Sequence, residues 1–169
     1  MSIRRILFAL LIAALGVAAI SGCGATVPGL ALPAPLGAAD TADPNAVLRD
    51  GFSTMFGWRP QTDSSPDDAY ARARPYLTDQ LGARARDTTS GGSKTQWKAW
   101  ADAKAKVKIT VQITTDEHPP DQSARIDRVL LIGQAITDAA GKSIESIEIT
   151  VWATVVRTEQ GWRIHEMRF

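Results

Sequence analysis

Ile144-Glu145-Ser146-Ile147-Glu148-Ile149-Thr150-Val151-Trp152-Ala153-Thr154-Val155-Val156 places Ile147, Ile149, Val151, Ala153 and Val155 at every second position. Successive side chains on a β-strand leave opposite faces, so this spacing predicts a strand with one apolar side. Upstream, Val107, Ile109, Val111 and Ile113 alternate with Lys106, Lys108, Thr110 and Gln112. A third strand is expected from Ile126 to Ile136 through Leu130 and Ile132, leading into the turn Asp138-Ala139-Ala140-Gly141-Lys142. Downstream, Glu159-Gln160-Gly161 turns the chain into a last strand, Trp162 to Phe169. Four such strands joined mostly by short turns predict an antiparallel meander.

Before the meander the apolar period is helical. Asp43-Pro44 reads as a cap followed by a first-turn proline, and Ala46, Val47, Leu48, Phe52, Met55 and Phe56 continue a first helix to about Trp58. Ser65-Pro66-Asp67-Asp68 repeats that start signal, with Pro75 expected to end or kink the second helix. Thr78-Asp79-Gln80 opens a short third helix carrying Leu81 and Ala85, and Asp87 to Lys94, with Gly91-Gly92, reads as a loop. Helices first and a meander after them make an α+β pattern, expected as a single domain over residues 44–169.

The amino terminus follows different rules. Arg4 and Arg5 precede an uncharged run from Ile6 to Ile20, roughly 22 Å long as a helix and short of the roughly 30 Å hydrocarbon core of a bilayer. The run closes on Ile20-Ser21-Gly22-Cys23, which resembles the lipobox of a bacterial lipoprotein signal peptide. The resemblance implies removal of residues 1–22 and a diacylglyceryl group on the thiol of Cys23. It also implies a place at the cell membrane, lipid-anchored on the extracytoplasmic face. An uncleaved anchor and a cleaved soluble export product are the alternatives. From Cys23 to Asp43 the chain is rich in Ala, Pro and Gly and reads as a tether, typically spanning about 25 Å.

Composition narrows the chemistry. Lys and Arg number 19 against 18 Asp and Glu, and without Arg4 and Arg5 the balance becomes 17 to 18. Near-neutral charge argues against nucleic acid as a partner, because phosphate neutralisation needs concentrated cations. Cys23 is the only cysteine, which rules out an intramolecular disulfide and a thiolate-rich metal site.

The order of elements, ending in Thr150-Val151-Trp152-Ala153-Thr154-Val155-Val156 and Gly161-Trp162-Arg163-Ile164, resembles the nuclear transport factor two superfamily. Within it the chain resembles actinobacterial envelope proteins, the Mce-associated proteins and the conjugation proteins of type IV secretion bridges. The resemblance implies a cone-shaped fold, with N-terminal helices packed on a curved four-stranded antiparallel sheet. It implies a non-enzymatic assembly or accessory module of a cell-envelope complex, in conjugal transfer or lipid import, whose partners are the membrane and other envelope proteins. A homo-oligomer is compatible with it. The alternative is a carrier or enzyme holding a small apolar ligand inside the cone.

Enzymes of that superfamily place an Asp or His inside the cone, and this chain has only His118 and His165. His118 lies in the polar link Thr115–Ser123, where a solvated side chain is expected. His165 shares strand spacing with Arg163, Met167 and Phe169 and is a candidate to line a pocket. Asp116, Glu117, His118 and Asp121 match no ligand spacing, and Pro119 and Pro120 are expected to hold Asp121 apart, so no metal or cofactor is expected. No nucleophile elbow and no phosphate-cradling loop is present in the sequence. Trp97 and Trp100, three apart, either seal the open end of the sheet or form the pocket mouth or a partner-docking patch.

Overall fold

The meander forms strand for strand. In a computed structural model that describes residues 41–84, 94–114 and 118–169, β1 (Lys106–Thr114), β2 (Arg125–Thr137), β3 (Ser143–Thr158) and β4 (Gly161–Arg168) make one antiparallel sheet. Its order is β1-β2-β3-β4. Register carries the alternating rows onto one face, since Ile132 lies opposite both Val111 and Ile149, and Leu130 opposite both Ile113 and Val151. On that face Leu130, Ile132, Ile136, Val151, Val155 and Ile164 are at most 1% exposed. Burying each such side chain contributes roughly 1.5–3 kcal/mol, which makes this row the main stabiliser of the fold.

The sheet is open and curved. Register shifts at Ile136/Thr137 and at Thr154/Val155 add local twist. The turns use glycine where the backbone demands it, with Gly141 at φ +86° between β2 and β3 and Gly161 at φ +99° between β3 and β4.

Among the described residues four α-helices precede or lead into the sheet: α1 (Pro44–Phe56), α2 (Pro66–Ala73), α3 (Asp79–Arg84) and α4 (Lys94–Asp102). The two cap-and-proline signals act as read. Asn45 N–H donates to Asp43 Oδ1 at 2.9 Å, and Asp67 N–H donates to Ser65 Oγ at 3.2 Å. α1 buries Val47, Leu48, Phe52, Met55 and Phe56 as one stripe. Pro75 ends α2 in a single tight turn, Arg74–Tyr76, after which Leu77 bridges to Ile164 of β4. Helices from the first part of the chain thus close over the apolar face of the meander, and the architecture is α+β with helices on a four-stranded antiparallel sheet.

The signal segment, Cys23, the tether up to residue 40, the loop from 87 to 93 and the pair Asp116 and Glu117 lie outside the described residues. Among the described residues no helix is long and apolar enough to cross a membrane.

Candidate functional site

Trp97 and Trp100 both lie on α4 and meet Trp58, which follows α1. Trp58 stacks on Trp100 with ring centres 5.8 Å apart, and Trp97 stands edge-on to both at 6.2 and 6.1 Å. Offset and edge-on pairs are the favoured aromatic geometries, so the cluster holds α4 against the core. Trp100 is 3% and Trp58 9% exposed, whereas Trp97 is half-buried and keeps one flank in solvent.

His165 is not where its spacing put it. Val155 pairs with Ile164 and Thr154 with Glu166, which leaves His165 as the extra residue of a bulge. Past the bulge Met167 lies opposite Ala153, and Phe169 meets the Phe56 ring edge-on at 6.2 Å. His165 parts from them, its Nδ1 3.4 Å from Thr78 Oγ1. That hydroxyl also accepts the Leu81 N–H at the start of α3. His165 therefore braces α3 against β4.

The interior positions of the sheet are occupied by side chains packed on α1. Gln134 sits among them and donates from Nε2 to the Phe56 carbonyl at 2.8 Å, satisfying a carbonyl at the carboxyl end of α1. Its Oε1 and the Tyr70 hydroxyl are buried without a partner, and burial pushes the Tyr70 phenol up to about 12.

Charge gathers elsewhere, at the end of the sheet where β2, β3 and β4 overlap. Arg125 and Asp127 alternate on β2 and so share a face; Arg125 Nε and Nη2 reach Asp127 at 3.1 and 2.9 Å. Thr154, opposite Asp127 in register, donates to the same carboxylate. Arg128, only 8% exposed, grips Asp121 with both guanidinium arms at 2.6 and 2.7 Å. Pro119 and Pro120 do not separate Asp121 from His118; the turn brings its Oδ1 to 3.8 Å from His118 Nδ1, and His118 is partly buried rather than solvated. Arg128, through its two bonds to Asp121, draws the link down onto the sheet. His118 Nδ1 is 2.8 Å from the Pro119 carbonyl and 3.3 Å from Arg128 Nη1. It cannot donate to one and accept from the other, and the shorter distance assigns the proton to the carbonyl contact.

His118, Arg125, Asp127, Arg128 and Thr154 line a shallow cleft of about 200 Å³ that runs to Trp152 and Arg168. Arg125 and Arg128 are both already paired with carboxylates, and the Arg128 bond and charge hold the Asp121 carboxyl below the ordinary range. Burial pushes Asp127 up, but the Arg125 and Thr154 bonds and the two guanidinium charges outweigh it, so its carboxyl is also low. The arrangement is a set of mutually satisfied ions, suited to fixing the shape of a surface. Among the described residues no His, Cys, Asp and Glu cluster could hold a metal ion. Beside the cleft, Trp152 and Leu131 stand 46% and 44% exposed on the outer face of the sheet. The strand alternation places both on that face, while their joint exposure depends on what the helices leave uncovered.

The fold has a counterpart among solved structures. A periplasmic fragment of TraM superposes with a TM-score of 0.50 at 11% identity, over 73% of this chain and 91% of the fragment. The likeness is one of fold. The intermembrane space region of the chloroplast protein ARC6 aligns over 71% of this chain and 94% of its own length at 12% identity, with a TM-score of 0.35. No family model matches the chain, and no curated protein matches it.

Proposed function

We propose that this protein is a non-enzymatic assembly or accessory module of a cell-envelope complex. It is held at the extracytoplasmic face of the membrane by lipid on Cys23, and it engages a partner protein through the outer sheet face around Trp152. The observation that carries this reading is the division of apolar surface between the two faces. The core-facing side is packed with aliphatic and aromatic residues, whereas Leu131 and Trp152 stay in solvent beside a rigid frame of ion pairs. An aromatic anchor with a polar rim is the pattern of a binding hot spot. The fold it shares with a periplasmic fragment supports the location, as does the lipobox-like Ile20-Ser21-Gly22-Cys23. Conjugal transfer or lipid import is the finer reading, supported by the sequence resemblance to proteins of those machineries. The packing of Leu130, Ile132, Val151 and Ile164 on the core-facing side supports this reading over a ligand carrier or enzyme using the cone interior.

A photo-reactive phenylalanine analogue at position 152 of the full chain, expressed in its envelope and irradiated, tests this directly. One discrete heavier adduct with an envelope protein is expected, absent when the probe replaces the exposed Glu159. The same adduct pattern from both positions, or none from position 152, would overturn the docking role.

A further inference from the structure

The two edges of the sheet are treated very differently. At the β4 edge, the Trp162 N–H donates to the Thr41 carbonyl at 2.7 Å, Thr78 N–H donates to the Ile164 carbonyl at 2.9 Å, and a bulge at His165 interrupts the strand. The half of β3 that overhangs β4 carries Glu145 among its apolar positions. Covering segments, bulges and inward charges are the devices that stop a sheet from adding strands. Among the described residues β1 shows no bulge and no inward charge, and keeps two outward lysines, Lys106 and Lys108. It pairs residue for residue with β2 from Lys106 to Thr114 without a register shift, contains no proline, and carries no charge in its apolar row. Among the described residues no strand pairs with its other side. Val107, Ile109, Val111 and Ile113 remain only half-buried, although their neighbours Leu130, Ile132 and Ile136 on β2 are sealed.

We propose that the free edge of β1 is a dimer interface, pairing antiparallel with β1 of a second copy about a two-fold axis at Thr110. The strand's own sequence identifies the occupant. Folded back on itself at Thr110, Lys-Val-Lys-Ile-Thr-Val-Gln-Ile-Thr sets Lys106 opposite Thr114 and Lys108 opposite Gln112. The apolar row continues as Val107 opposite Ile113 and Ile109 opposite Val111. All nine residues find partners, and no like charges oppose one another. Thr110 is the midpoint of the strand, so this register alone pairs all nine residues, whereas centring the axis on Lys108 would set that lysine against its own copy. The result joins two four-stranded sheets into one and extends the apolar face across the axis. The inference does not depend on the partner-docking role of Trp152.

Sedimentation equilibrium of the full chain in density-matched detergent tests it. A reversible dimer is expected. Gln112 is exposed, so changing it leaves the protomer intact, which circular dichroism checks. Gln112→Lys opposes Lys108 twice by symmetry and should weaken the dimer by about 2- to 30-fold, whereas Gln112→Glu should tighten it by a similar factor. A chain that stays monomeric up to its solubility limit overturns the proposal, and so does a dimer whose dissociation constant ignores both substitutions. A strand from another protein as the true occupant would leave the purified chain monomeric and would count against it equally.

Discussion

Asp127 shows how little of the charged site any single residue reveals. Burial alone would favour its neutral form, yet the Arg125 and Thr154 hydrogen bonds and the Arg125 and Arg128 charges hold its carboxyl below the usual range. A carboxyl whose folded value lies below its unfolded value adds stability above the unfolded pKa, near 3.9, and loses it as pH falls through the lower folded value. Asp121, held low by Arg128, and Asp68, held low chiefly by the Ser64 N–H, act in the same direction. The urea midpoint should therefore be nearly flat from pH 7 to about pH 5 and drop below about pH 4. Asp127→Asn should lower the plateau and shallow the drop; a variant as acid-sensitive as the parent would show that this carboxylate does not couple to folding. None of this was legible in the residue itself. Arg125-Ile126-Asp127 announces a same-face ion pair on a strand, but Thr154 joins only through register, and Asp121 only because Arg128 folds the proline-containing link back.

Elements were easier to read than sites, because period and caps are local signals. Alternation and turn signals together placed all four strands, and Asp43-Pro44 and Ser65-Pro66 placed two helix starts, since each depends on near neighbours in sequence. The bulge at His165 escaped because nothing in Trp162-Arg163-Ile164-His165-Glu166 marks an inserted residue; it is set by the strand opposite and by Thr78. The union of Trp58 with Trp97 and Trp100 likewise needs the tertiary fold. Gly51 is a clearer case of packing overriding local preference. A glycine inside a helix costs about 1 kcal/mol relative to alanine, so Gly51→Ala would stabilise an isolated α1. In the folded chain a Cβ there would come within 2.7 Å of Ile164 Cδ1 and 3.1 Å of Tyr76 Cβ. Ile164 is fully buried and has nowhere to go. The overpacking term, about 1–3 kcal/mol, should exceed the gain. Gly51→Ala is thus expected to lower the thermal midpoint, and a rise would mean that α1 is free to shift away from β4.

At the scale of the whole molecule, the proposed lipid attachment and the described core belong to separate stretches of the sequence. One core gathers buried residues from α1 through β4, and with a single cysteine no disulfide contributes to it. The Cys23 sulfur, the expected site of lipid, precedes in sequence Thr41, where the described residues begin. Two lipid chains on that sulfur would give lasting membrane retention, since one chain alone gives only marginal binding. The near-neutral charge of the chain offers no electrostatic substitute. Cys23→Ser should therefore move the protein from the membrane to the soluble fraction and remove the acyl mass. Its thermal midpoint and far-ultraviolet spectrum should match those of the parent once both are in the same detergent. Loss of the fold along with the lipid would refute the separation. Retention at the membrane with no acyl mass in either form would refute the anchor, and attachment would then have to come from the Arg4–Ile20 segment left uncleaved.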